Sequence, residues 1–284
     1  MTGDAEFGLV DTEEADGVGD EWESIDVSDT EADRIARERD REFDEFRKRI
    51  KNTEQFKVTA SVFDDATYGA LYKLVQDGHI DAFGGPISTG KEANVYTALR
   101  GEEEVAVKIY RINASDFRDM REYLDGDPRF EGIGSDKKKV VTAWVRKEFA
   151  NLQRARTAGV RAPEPVAVQR NVLVMEYLGH EERAKRLAEV DIENPKTAFE
   201  VVREYMRRLY DAGLVHGDLS EYNVIVHDEQ LYIIDLGQAV TVHHGNAGEY
   251  LQRDCVNVAS FFTRQGYDVS VDDLLESVTQ NGDE

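Results

Sequence analysis

Five side chains set out the chemistry open to this sequence. His216-Gly217-Asp218-Leu219-Ser220-Glu221-Tyr222-Asn223 places an aspartate and an asparagine five positions apart, between a helical segment and an apolar hairpin. An aspartate held rigidly there can orient an attacking hydroxyl or accept its proton. The asparagine offers a neutral hard oxygen of the kind Mg2+ takes. Asp235 follows the apolar run Leu231–Ile234 and precedes Leu236-Gly237, so it stands at the end of a buried strand as a second hard ligand. Lys108 closes the alternating run Val105-Ala106-Val107, and Glu148 is the anion that can fix it. Such a set suits phosphoryl transfer. Three phosphates bring about four negative charges into a cleft, and a lysine with metal-holding oxygens offsets them. Taken singly, Lys108 reads as a solvated strand charge, Glu148 as an exposed helical acid and His216 as a structural hydrogen-bonding residue. Their order and spacing together argue for the site.

The elements that position these residues are legible from periodicity. Three strand-like runs cover about 82–89, 93–100 and 104–111, with Gly101-Glu102 closing a hairpin. A helix over about 139–157, ended by Gly159, carries Glu148. Strands follow near 164–169 and 171–177. The second half is mainly helical. Asn194-Pro195 opens a helix with Phe199, Val202, Met206 and Leu209 inward, and helices near 246–265 and 271–279 close the chain, the last capped by Ser270. A short hairpin, Val224–Val226 with Leu231–Ile234, interrupts them. Before the sheet, Asp64 or Asp65 caps a helix whose inner face is Ala66, Ala70, Leu71, Leu74 and Val75. Residues 112–138 are polar, with Gly126, Pro128, Gly132 and Gly134, and read as a long mobile loop. It carries Arg118, Arg121 and Arg129 and runs out through Lys137-Lys138-Lys139. A β-rich lobe followed by an α-rich lobe leaves a cleft between them, where ligands bind.

Gly85-Pro86-Ile87-Ser88-Thr89-Gly90-Lys91 fits the first seven places of the phosphate-loop pattern G-x-x-x-x-G-K-[ST], but the eighth place is Glu92. That loop needs a hydroxyl for Mg2+ and a following helix whose N-terminus faces the phosphates. Here Ala93-Asn94-Val95-Tyr96 reads as a strand, and a carboxylate would repel phosphate. The reading retained is a strand–turn–strand lid, with Ser88, Thr89, Gly90 and Lys91 over a nucleotide. An ordinary hairpin turn is the plain alternative.

Segments 88–96, 216–223 and 234–238 resemble the RIO family of atypical protein kinases. Tyr123–Phe130, with Trp144–Leu152, is similar to the first branch of that family rather than the second. The resemblance covers about 60–265. It implies an α+β, two-lobed protein-kinase-like fold: an antiparallel β N-lobe with an inserted helix over 63–178, and a truncated, mainly helical C-lobe over 179–284. It also implies serine/threonine kinase activity with ATPase activity, ATP with Mg2+ (Mn2+ as an alternative ion) and work on the maturing small ribosomal subunit. By the same resemblance Lys108 binds ATP with Glu148 as its partner, Asp218 is the proton acceptor, and Asn223 and Asp235 bind metal. Backbone groups of Glu176 and Leu178 in the hinge hold adenine, and Asp235 can itself accept phosphate. The chain departs from ordinary protein kinases in three places. Only 49 residues follow Asp235, Gly217 stands where an arginine would capture a phosphorylated loop, and Ser220 replaces a lysine. Peptide docking by the usual groove is therefore not expected.

Composition narrows the class further. The 284 residues include 35 Lys and Arg against 58 Asp and Glu, for a net charge of −23. Such a field repels nucleic acid at low salt and suits concentrated salt, as in a salt-adapted archaeon. Residues 1–30 contain acids and no Lys or Arg, and read as a disordered acidic tail. Residues 31–62 read as a charged helix and linker, with Phe43, Phe46 and Ile50 as a thin apolar stripe. One cysteine, Cys255, excludes a disulfide framework and sits at core spacing. His243-His244 lacks companion metal ligands. No apolar run reaches the roughly 18 residues of a membrane span, and the N-terminus lacks a secretory pattern, so a cytoplasmic protein is expected. Four functions remain in view: a protein kinase, an ATPase switch acting on a precursor small subunit, a small-molecule phosphotransferase and a nucleotide-binding scaffold.

Overall fold

The computed structural model describes residues 41–48, 63–112, 117–130, 133–134 and 136–280. Residues 41–48 form a helical stretch of their own, with Phe46 buried and Phe43 half-buried. The acidic segment 1–30, Ile50 and most of the expected linker lie outside the described residues.

The main body begins with α1 (Asp65–Gln76). Asp64 caps it, its carboxylate accepting from the Thr67 amide at 2.8 Å and the Thr67 hydroxyl at 2.7 Å. The buried face is Thr67, Tyr68, Ala70, Leu71 and Leu74. Ala66 and Val75, expected inside, are only half-buried. Thr67 takes the inward place because the buried Asn171 amide donates to its hydroxyl at 2.9 Å.

Strands β1 (Ala82–Thr89), β2 (Ala93–Arg100), β3 (Glu103–Tyr110), β4 (Pro165–Gln169) and β5 (Val172–Glu176) form one antiparallel sheet in the order β1-β2-β3-β5-β4. Gly101, with φ of 62°, supplies the left-handed turn between β2 and β3. Lys108 lies in the central strand, in register with Val95 on one side and Leu173 on the other.

The segment expected to be a mobile loop contains α2 (Phe117–Leu124) and a 3-10 turn over Pro128–Phe130. Met120, Tyr123 and Leu124 are buried. Charged residues between them hide the apolar spacing in the sequence, and the helix forms because its apolar face packs on α3 (Lys137–Thr157). Asp136 caps α3, accepting from the Lys138 and Lys139 amides at 2.8 and 3.1 Å.

The second lobe holds β6 (Lys185–Arg186), α4 (Pro195–Asp211), β7 (Leu214–Val215), β8 (Val224–His227), β9 (Gln230–Ile233), β10 (Val240–Thr241), α5 (Ala247–Arg264) and α6 (Val271–Thr279). Strands β6, β8 and β9 make a small sheet, and β7 pairs with β10. One apolar cluster runs from Val141 and Trp144 of α3 through Leu173 of β5 to Leu209, Leu236 and Phe262. Each such fully buried side chain contributes roughly 1.5–3 kcal/mol relative to exposure. The core therefore fixes α3, and Glu148 on it, against both lobes. Cys255 is buried in this core, its thiol pushed up to about 12 by burial. Val256, beside it in sequence, is instead 43% exposed. None of the described helices is long and apolar enough to cross a membrane.

Candidate active site

The charges that stand far apart in sequence meet in the cleft. The Lys108 ammonium donates to Glu148 Oε1 at 2.7 Å and to Asp235 Oδ1 at 2.9 Å. Tyr110 donates its hydroxyl to Glu148 Oε2 at 2.5 Å. Glu148 and Lys108 are both buried, whereas the Asp235 side chain is 48% exposed to the cleft. Burial alone would lower the Lys108 ammonium. The Asp235 and Glu148 carboxylates override it and hold it well above the ordinary lysine value. Burial pushes the Asp235 carboxyl up, and Lys108 more than compensates, leaving it below the ordinary value. Asp235 also has φ of 62°, in the left-handed region. For a non-glycine residue that geometry costs on the order of 1 kcal/mol and is sustained only by surrounding contacts.

Asp218 and Asn223 sit together in the loop between β7 and β8. Asn223 donates its amide to the Asp218 carbonyl at 2.8 Å and to its carboxylate at 3.3 Å. Burial raises the Asp218 carboxyl above its ordinary value. His216 Nδ1 accepts from the Asp218 amide at 3.3 Å, so its Nε2–H is the donor to the Ile234 carbonyl at 3.1 Å. That single imidazole links the Asp218 loop to the strand leading into Asp235.

Helix α5 clamps the loop from behind. The buried Asp254 carboxylate accepts from the Gly217 amide at 2.8 Å and the Leu219 amide at 2.7 Å. Asn257 donates to the Leu219 carbonyl at 3.1 Å. Arg253 donates to the Gly217 carbonyl and, at 3.0 Å, to the Tyr123 hydroxyl. Gly217 has φ of 80°, and a Cβ there would meet the Gln238 carbonyl oxygen at 3.0 Å. Glycine beside Asp218 thus answers a backbone demand.

Helix α3 holds the loop after Asp235 in the same manner. Lys147, fully buried, donates to the Gly237 carbonyl at 2.9 Å. Asn151 donates to the Leu236 and Ala239 carbonyls at 3.0 and 2.9 Å. Burial lowers the Lys147 ammonium to about 7. Its charge lies over the Trp144 and Tyr123 rings, at 5.0 and 5.7 Å from their centroids.

A cavity of about 710 Å³ opens above these groups. Lys108, Glu148, Asn223 and Asp235 line its floor, Ser88, Gly90 and Lys91 lie over it, and Glu176 and Leu178 border its inner edge. Thr89 is exposed, in register with Asn94, and does not line the cavity. The Gly90 amide donates to the Ala93 carbonyl at 2.9 Å, and β2 follows at once. The turn is a strand–turn–strand lid, and no helix follows it to supply a phosphate-loop N-terminus. At the exit from β5, the Glu176 amide donates to the Glu164 carbonyl and the Ala184 amide to the Leu178 carbonyl.

The sequence reading missed Tyr110, Lys147, Asn151, Arg253, Asp254 and Asn257. A signal for some of them was present. Lys147, Asn151 and Asp254 fall on the apolar stripes of their helices, where a polar residue must find a buried partner.

Residues 94–274 match the model of a family described as the RIO domain. The chain is 72% identical over 281 residues to the RIO-type serine/threonine-protein kinase Rio1 of Haloferax volcanii, covering 98% of this chain and 96% of that one. It is 38% identical over 258 residues to the Rio1 kinase of Methanocaldococcus jannaschii, covering 89% and 87%. The serine/threonine-protein kinase RIO1 of Homo sapiens is 38% identical over 266 residues, which are 46% of its length. Among solved structures, Rio2 kinase from Chaetomium thermophilum superposes with a TM-score of 0.61 at 24% identity, over 76% of this chain and 69% of that one. Its ADP/Mg2+-phosphoaspartate complex superposes with a TM-score of 0.59.

Proposed function

The chain belongs to the RIO family of serine/threonine kinases, in its Rio1-type branch, and from that premise we propose that the cleft moves the γ-phosphoryl group of ATP to a hydroxyl acceptor. The observation that carries this reading is the meeting of Lys108, Glu148 and Asp235 within hydrogen-bond reach beside the Asp218–Asn223 pair. The cavity volume is in the range of nucleotide-sized ligand sites.

Each residue has a task. Lys108, oriented by Glu148, neutralises phosphate oxygens. Glu176 and Leu178 receive the adenine through backbone groups, and Ser88, Gly90 and Lys91 close over the phosphates, while Thr89, exposed and outside the cavity lining, takes no part. Asp218 orients the acceptor hydroxyl and takes its proton. The donor set fits magnesium. Asn223 uses its amide nitrogen on Asp218 and keeps its carbonyl oxygen, and Asp235 presents a carboxylate to the cavity. A bound Mg2+ there lowers the repulsion between phosphate oxygens and the acidic cleft. Mn2+, of the same hard-oxygen class, is the alternative ion.

Transfer from γ-labelled ATP tests this reading. Asp218→Asn is expected to lose about 10²–10⁴-fold in turnover while the melting temperature holds. Full turnover in that variant would overturn it.

A second reading concerns the acceptor. The Asp235 carboxylate is half-exposed at the place of transfer, and the Rio2 relative was captured as a phosphoaspartate complex. Attack by the Asp235 carboxylate would form an aspartyl phosphate as the bond to ADP breaks, and cleavage of that acyl phosphate by water would make the chain an ATPase switch. A hydroxylamine-sensitive label on the protein supports that acceptor, and a hydroxylamine-resistant label points to serine or threonine. Family membership also supports a cytoplasmic partner in the precursor small ribosomal subunit. Cells lacking the chain are then expected to accumulate small-subunit rRNA precursors, and normal processing would contradict it.

A further inference from the structure

A second group of ligating side chains lies outside the cleft, at the tip of the β8–β9 hairpin. His227 ends β8, and the turn residues Asp228 and Glu229 both lie in the left-handed region, with φ of 47° and 59°. This tight turn brings the Asp228 carboxylate back beside the His227 ring. His180 reaches the same carboxylate from the chain leaving β5, where Gly179 bridges Arg183.

The geometry is convergent. His180 Nε2 stands 2.9 Å from Asp228 Oδ1, and His227 Nε2 stands 3.6 Å from Asp228 Oδ2. The two imidazole centroids are 5.0 Å apart. One ligand atom from each residue falls within 4.8 Å of the others, and no other group of three His, Cys, Asp or Glu does so among the described residues. A histidine–carboxylate hydrogen bond accounts for the His180 contact alone. It does not account for a second imidazole turned by the same nitrogen toward the other oxygen. Four-coordinate zinc, with bonds of about 2.0–2.2 Å, keeps its donors roughly 3.3 Å apart, so donors already within 4.8 Å of one another reach that geometry by side-chain rotation. Two imidazole nitrogens and a carboxylate select a borderline divalent ion over magnesium or calcium. His180 and Asp228 are largely exposed and free to adjust, while His227 is held beside Tyr232, with ring centroids 6.0 Å apart.

We propose that His180, His227 and Asp228 bind one zinc-class divalent ion through both Nε2 atoms and a carboxylate oxygen, with water completing the shell. The site ties the chain two residues beyond Leu178 to the hairpin that Asn223 precedes and Asp235 follows. An ion there cross-links the inner edge of the cavity to the hairpin flanked by the candidate metal ligands Asn223 and Asp235.

Equilibrium dialysis of the full-length protein against zinc tests the assignment, in molar KCl with magnesium in excess so that the cleft is supplied with its own ion. One zinc per chain is expected in the wild type. His180→Ala and His227→Ala are each expected to weaken uptake at least about tenfold, with unchanged circular dichroism. If His227→Ala fails to fold, the exposed His180→Ala carries the test. No uptake by the wild type, or wild-type uptake by a folded His180→Ala, overturns the proposal. Neither outcome depends on kinase activity.

Discussion

Lys108 and Glu148 stand on regular elements, a central strand and a long helix, whereas Asp218 and Asp235 stand on loops. The two sides of the cleft accordingly hold their charges by different means. On the sheet side, strand register and helix packing bring the groups to each other, and a buried ion pair with the Tyr110 hydroxyl satisfies them. On the helical side, buried polar residues of α3 and α5 bond the loop backbones directly. The first arrangement ties charge to charge, so it governs the affinity for an anionic ligand. The second ties side chain to main chain, so it governs whether the catalytic loops keep their shape.

Asp254→Ala gives the largest effect that separates the two sides. It leaves the Gly217 and Leu219 amides buried without acceptors, at a cost on the order of 3 kcal/mol. A lower melting temperature and a lower kcat with little change in the KM for ATP are expected. A rise in KM alone would break the comparison. Glu148→Gln sits on the other side. It removes the charge that fixes Lys108 and is expected to raise the KM for ATP roughly tenfold, about 1.4 kcal/mol. The melting temperature and steady-state kinetics check both variants.

A third effect, outside both ligand-binding contacts, is a pH slope from Lys147. Burial depresses this ammonium to about 7 in the folded protein, below the ordinary lysine value. Between pH 7 and the unfolded value the unfolded chain binds more protons, so stability rises with pH through that window. Denaturant unfolding at pH 7 and pH 9 is expected to show the wild type gaining on the order of 1 kcal/mol per pH unit relative to Lys147→Met. Parallel profiles would mean that the buried amine titrates as it does in water.

Much of this arrangement is legible in the sequence, and the reasons are local. The caps at Asp64, Asn194 and Ser270, the Gly101 hairpin and the alternating β3 run act within a few residues of themselves. The five cleft residues are legible because their types and order are tied to one chemistry. The α2 helix was hidden because four of its eight residues are charged and interrupt the apolar spacing, and its stability comes from α3. The clamps were hidden for a related reason. Asp254 contacts Gly217, and Lys147 contacts Gly237, across long sequence separations that no window along the chain reports. A polar residue on an apolar helix stripe signals that a partner exists but does not name it. His180, His227 and Asp228 were likewise invisible, since a hinge exit and a hairpin tip carry no shared pattern until the fold joins them.

The most direct test of the account is a crystal structure of the full chain grown at high salt with a non-hydrolysable ATP analogue and magnesium. The triphosphate is expected between Lys108 and Asp235, with Asn223 and Asp235 on the ion and the Asp218 carboxylate facing the terminal phosphoryl group. A nucleotide bound elsewhere, or one in the cleft with Lys108 and Asp235 turned away from its phosphates, would contradict it.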